Sequence, residues 1–136
     1  MARSTVFAAD TNVLIRVLVG DDRRQQKAAL ARLEAIRTSG GSVVVSSVVL
    51  AEVAWVLDRA YDYERAQIVS ALRGVLDTPP FFIPQRPDVL AAIDEYASGS
   101  ADFADYLILS LARAEGSKTL LTFDRRLLRT AGCEAP

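Results

Sequence analysis

The sequence predicts an α/β protein, a three-layer α/β/α sandwich around a central parallel sheet of four to five strands. Three observations point there. Short apolar runs recur along the chain, segments with helical spacing separate them, and the runs are apolar nearly throughout instead of alternating with polar residues. A strand that alternates keeps one face in water. A strand that does not is covered on both faces, and the helical crossovers between parallel strands supply that cover.

The elements follow in chain order. TVFAA at 5–9 is short, apolar and followed by Asp10, Thr11 and Asn12, which suits a buried strand running into a capped helix. Val13, Leu14, Val17 and Leu18 continue at helical spacing up to Gly20. Asp22 with Gln25 three positions later predicts a capping box for a second helix, whose Ala29, Leu30, Leu33 and Ile36 form an apolar stripe before the SGGS break at 39–42. Residues 43–45 read as a second strand. From Ser47 the pattern VVLAEVAWVLDRAY is helical, with Trp55 placed in the core. After Asp62 a partner helix puts Ile68, Val69, Leu72, Val75 and Leu76 on one face. Pro79 and Pro80 stop this helical hairpin, and 81–83 can form a brief third strand. Pro87, at a first helical position, opens a helix carrying Val89, Leu90, Ile93 and Tyr96 that ends at the SGS of 98–100. An apolar helix then spans about 103–114, a strand 119–123, and a small helix RRLLRT follows. The closing GCEAP can at most add an edge strand.

Composition narrows the chemistry. A chain of 136 residues, 51% hydrophobic, supports one domain, 1–136, with a proper core. Cys133 is the single cysteine, so no internal disulfide forms and a reducing cytoplasm is the expected location. Asp10, Asn12 and Arg16 interrupt the N-terminal apolar stretch, which predicts neither a signal core nor a membrane span. Sixteen basic against seventeen acidic residues leave a net charge of −1, so a nucleic-acid role would need a local basic patch. The histidine count is zero, which removes the commonest general base and a common metal ligand together. Catalysis must then use carboxylates, hydroxyls, cationic side chains or a hard metal ion.

Four acids stand in apolar company. Asp10 follows the first strand, and Asp124 follows LLTF at 120–123. If those strands are neighbours, both acids share the carboxyl edge of the sheet, where ligands gather in α/β proteins. Asp105 lies in the first turn of the apolar helix ADFADYLILSLA, and Glu52 lies mid-helix in VVLAEVAWVL. Taken singly, capping explains Asp10, Asp102, Asp105 and Asp124, and a surface position explains Glu52. As a set, carboxylates inside the most apolar segments predict a site, because dehydration is costly unless a cation or hydrogen-bond donors replace the water. An all-oxygen donor set without His or Cys favours Mg²⁺ or Mn²⁺ over zinc. Such an ion suits phosphate esters, since it neutralises phosphoryl charge and acidifies water. Arg125, Arg126 and Arg129, close behind Asp124, are candidates for an RNA-facing patch, or for a solvated helix face.

The stretches AADTNVLIR (8–16), SSVVLAEVAWVL (46–57), ADFADYLILSLA (101–112) and LLTFDRRL (120–127) together resemble, in order and spacing, a PIN-domain protein of the VapC toxin type. The resemblance covers nearly the whole chain. It implies a PIN-like fold and a metal-dependent endoribonuclease, the toxin of a type II toxin–antitoxin pair. It also implies that Asp10, Glu52, Asp105 and Asp124 are the catalytic acids, with Asp10, Asp105 and Asp124 holding Mg²⁺ or Mn²⁺. Asn12 and Thr122 match supporting polar positions, and Asp102 is a secondary acid. Thr11 and Asn12 are expected to cap the first helix and steady the Asp10 carboxylate. Hydrolysis of an RNA phosphodiester by metal-activated water follows as the expected reaction, with Glu52 able to accept a proton. The implied partners are a cognate antitoxin and a second copy of the chain in a homodimer. Two rival readings are a receiver-like phospho-signalling domain, for which the sequence offers no acceptor aspartate directly after the third strand, and a non-catalytic PIN-like interaction module.

Overall fold

The computed structural model describes residues 5–136. Packing divides the chain into two units, the first ending at Pro84 and the second spanning Gln85–Pro136.

In the first unit, β1 (Val6–Ala8), β2 (Ser42–Val44) and β3 (Phe81–Phe82) form a parallel sheet in the order β1-β2-β3. Phe7 stands opposite Val43, and Val43 opposite Phe81. Helices α1 (Thr11–Val19) and α2 (Arg23–Thr38) connect β1 to β2, while α3 (Ser47–Tyr61) and α4 (Arg65–Asp77) connect β2 to β3. Helical crossovers are what parallel pairing requires. Helix α1 ends at Gly20, whose φ of 72° is left-handed and which closes the helix as a C-cap. Helix α2 begins where the sequence predicts, with the Asp22 carboxylate accepting the Gln25 N–H at 3.0 Å. Val43, Val45, Leu50, Val53, Leu57, Ile68 and Leu72 are buried at the centre.

In the second unit, α5 (Arg86–Ser98) packs against α6 (Phe103–Ala114). Their contact is built from Val89, Ala92, Ile93, Tyr96, Phe103 and Tyr106, all buried, with the Tyr96 and Phe103 rings edge to face at 5.8 Å. The Ser110 hydroxyl, buried with them, donates to the Asp88 carbonyl at 2.6 Å. Strands β4 (Leu120–Leu121) and β5 (Cys133–Glu134) pair in parallel across a 3₁₀ turn, Leu127–Arg129.

The α/β class and all parallel pairings agree with the sequence, and five strands form. They do not join one sheet: the described residues divide into sheets of three and two strands. Each strand is two or three residues long, so each ladder carries few hydrogen bonds and reaches only its immediate partner. The helix expected at RRLLRT is a single 3₁₀ turn, because the Asp124 carboxylate takes the amides of Arg126 and Leu127 and tightens the chain there. Trp55 is 61% exposed and is no core residue. The buried face of α3 is Leu50, Val53, Ala54 and Leu57, which leaves Val48, Glu52 and Trp55 on the opposite side. Among the described residues no helix is long and apolar enough to cross a membrane.

Candidate active site

In the first unit, Asp10 follows β1 and is itself the N-cap of α1, its Oδ1 accepting the Val13 N–H at 3.1 Å. Thr11 and Asn12 are therefore the first residues of the helix, not its caps. An extended residue with a short carboxylate just before the first turn satisfies an orphan amide better than the hydroxyl that follows it. Asp10 is exposed, with Asn12 beside it. Both border a cavity of about 550 Å³ lined mostly by apolar residues of β1, α1 and α2. One wall of that cavity is Phe7, with the Arg32 guanidinium 5.3 Å from its ring centre. Glu52 is exposed on the outer face of α3.

In the second unit three acids gather at the start of α6 and the end of β4. Asp102 is the N-cap of α6, and Asp105 in the first turn reaches back, its Oδ2 accepting the Asp102 N–H at 3.1 Å. Asp124 is held by its own turn. Its N–H donates to the Thr122 hydroxyl at 3.0 Å, and its Oδ1 accepts the N–H groups of Arg126 and Leu127 at 2.8 and 3.2 Å. The support expected of Thr122 is thus a direct hydrogen bond to the backbone of the acid it serves.

The electrostatics of this group are uneven. Burial pushes the Asp105 carboxyl above its ordinary range, and the negative charges of Asp124 and Asp102 add to that, while the Asp102 N–H opposes it. Asp124 is held below the ordinary range, first by the Arg126 side chain and then by the two turn amides. Arg126 lies among these acids, Nη1 at 3.6 Å from Asp102 and Nη2 at 3.3 Å from Asp124. A patch residue expected to face RNA is turned onto the carboxylates. Arg125 and Arg129 are exposed, and their side chains have no hydrogen-bond or ion-pair partner among the described residues.

The dehydration argued from sequence therefore holds for Asp105, while Asp10, Glu52 and Asp102 are exposed. Asp10 follows β1 in the first unit, and Asp124 follows β4 in the second. Among the described residues no three acids stand ready-made as a cation seat. The donor chemistry of Asp102, Asp105 and Asp124 still fits a hard cation: the donors are all oxygen, the charges of Asp102 and Asp124 both bear on the Asp105 carboxyl, and the group already holds a positive side chain between two of its members. Sequence reasoning missed Ser98 and Ser100, which line a cavity beside Arg126 and Arg129. The SGS stretch signals a helix stop and offers no further cue.

The family model described as the PIN domain matches residues 8–132. A VapC ribonuclease of Aquifex aeolicus is 26% identical over 117 residues, 86% of each chain. The crystal structure of Mycobacterium tuberculosis VapC20, described as a toxin that cleaves the sarcin-ricin loop, aligns over 92% of this chain and 94% of its own at 19% identity, with a TM-score of 0.42.

Proposed function

The chain belongs to the PIN-domain family, and on that premise we propose that it is a VapC-type endoribonuclease, the toxin of a type II toxin–antitoxin pair. The receiver-like alternative ends with that membership. The observation that carries the proposal is the gathering of Asp102, Asp105 and Asp124 around one guanidinium in a chain of this family. Carboxylates that draw in a cation are what phosphodiester hydrolysis with a divalent ion needs. The similarity to an Aquifex VapC ribonuclease supports the same substrate class.

In this reading residues 1–136 work as one domain, since the family match runs through both units. Asp10, Asp105 and Asp124 hold Mg²⁺ or Mn²⁺, which when bound supplies charge neutralisation at the phosphoryl group and a more acidic water. Glu52 accepts the proton released from the attacking water. Thr122 and the turn amides fix the Asp124 carboxylate, Asn12 supports Asp10, and Asp102 contributes negative charge at the rim. Arg125 and Arg129 face the RNA backbone, and Arg126 meets it from between the carboxylates it pairs with. The exposed Val48 and Trp55 on α3 favour protein partners, an antitoxin and a second copy of the chain.

Incubating the purified chain with total RNA tests the proposal. Cleavage with Mg²⁺ or Mn²⁺, loss with EDTA, and no cleavage by Asp105→Asn are the expected results. Cleavage that survives both EDTA and Asp105→Asn overturns the assignment, and no cleavage under any divalent ion favours the non-catalytic PIN-like module.

A further inference from the structure

Beside the three acids, the second unit holds a cavity of about 400 Å³ with the opposite chemistry. Ser98, Gly99 and Ser100 form one wall, and Arg126, Arg129 and Thr130 the other. Its geometry is fixed from below. The Tyr106 hydroxyl accepts the N–H groups of Ser100 and Ala101 at 3.1 and 3.2 Å, and a Cβ on Gly99 would collide with that hydroxyl. Only glycine lets the loop lie this close to the ring. Glu95 also reaches the cavity, but its charge is met by Arg113 at 2.8 Å. The remaining groups are donors without partners: the Arg129 guanidinium and the Ser98 and Ser100 hydroxyls have none among the described residues. Arg126 belongs to both places, lining the cavity while its nitrogens face Asp102 and Asp124.

We propose that this cavity is an anion seat beside the acids, which takes a phosphate of the RNA strand neighbouring the one that is cleaved. The inference rests on the nuclease reading and deepens it. Guanidinium forks and hydroxyls are the groups that proteins set against phosphate oxygens. The shared Arg126 joins the seat to the acids, so a polyanion with successive phosphates fits better than a single small ion. Contacts of this kind position the strand and carry no sequence information. The seat therefore adds affinity and register, while the choice of target lies elsewhere.

Anisotropy of short fluorescein-labelled oligoribonucleotides of two unrelated sequences, taken in EDTA so that no divalent ion supports cleavage, reads the seat directly across a KCl series. Arg129→Ala weakens binding several-fold at low salt, equally for both sequences, and lowers the salt slope by about 0.7–1, the value of one phosphate contact. Arg129→Lys keeps most of that slope. Arg24→Ala, an exposed arginine on α2, sets the background. If Arg129→Ala behaves like Arg24→Ala, or loses affinity for one sequence only, the seat is overturned while RNA cleavage by the wild type leaves the nuclease reading intact. A wild type that neither binds nor cleaves RNA sinks both. A rise in Tm with inorganic phosphate that vanishes in Arg129→Ala, with the RNA slope unchanged, reassigns the cavity to a free anion.

Discussion

Asp124 and Arg126 hold one another twice: the backbone N–H of Arg126 donates to Asp124 Oδ1 at 2.8 Å while its guanidinium lies 3.3 Å from Oδ2. Two residues apart in sequence, they make a closed ring in which the acid shapes the turn and the turn brings a cation back to the acid. Positive charge at this position opposes a second cation. Arg126→Gln is therefore expected to bind Mn²⁺ more tightly than the wild type in isothermal titration after EDTA treatment. The gain should be a few-fold, because partly exposed ion pairs are worth about 1 kcal/mol or less. Weaker binding in the variant would show that the arginine organises the carboxylates instead of competing for them.

Asp10 caps α1 and is, in the proposed site, a metal ligand, and substitutions can separate the two. Asparagine caps a helix about as well as aspartate, so Asp10→Asn should leave urea stability nearly unchanged, whereas Asp10→Ala should lose about 1 kcal/mol as the Val13 amide loses its acceptor. Both should lower RNA cleavage by on the order of a hundredfold or more if the carboxylate itself is needed. Cleavage retained by the asparagine variant would reduce Asp10 to a cap.

The two faces of α3 make unequal contributions to stability. Leu57 is fully buried, and Leu57→Ala should cost about 2–5 kcal/mol in urea unfolding. Trp55→Ala, only two positions away on the exposed side, should shift stability by about 0.5 kcal/mol or less in the monomer. A large loss from Trp55→Ala that grows with protein concentration would mark the tryptophan as buried between copies.

Around Asp21 the fold carries a pH-dependent link between α1 and α3. The Tyr61 hydroxyl donates to Asp21 Oδ2 at 2.6 Å and Arg16 lies 3.2 Å from Oδ1, and together, the tyrosine first, they hold the Asp21 carboxyl below its ordinary value of 3.8. With the folded pKa depressed, the unfolded chain binds the proton first as pH falls. The stabilisation is complete above the ordinary value and is lost as pH drops through the lower, folded one. Tyr61→Phe should flatten the acid limb of a stability–pH profile, and an unchanged limb would show that the contact does not persist in solution.

Gly99 is the tightest of the described steric constraints near the acids. Gly99→Ala must displace the loop from Tyr106 and with it the amides that the hydroxyl accepts, at a cost of about 1–3 kcal/mol. Differential scanning calorimetry checks this, and a Tm equal to wild type would mean that the loop lies farther from the ring.

Much of the fold was legible because its punctuation is local. Asp22, Gly20, the Pro79–Pro80 pair and the Ser-Gly-Ser of 98–100 mark element boundaries through caps and stops that act within one turn. The division of the strands was not legible, since pairing depends on segments far apart in sequence and each strand is too short to announce a neighbour. Trp55 misled for a related reason: α3 is apolar on nearly every side, and no periodicity says which stripe is covered. At the acids, residue type predicted a cation. That Arg126 would answer from two positions away depended on the tight turn, which a helical reading of RRLLRT hid.

Strand β5 is bound to the rest of its unit through amides that include Leu120 N–H to the Gly132 carbonyl at 2.8 Å and Thr122 N–H to the Glu134 carbonyl at 2.9 Å. The second of these anchors the residue whose hydroxyl steadies Asp124. A protease that clips the chain just before Cys133 would leave Asp102, Asp105 and Asp124 in place and still slacken the one that the turn holds most firmly.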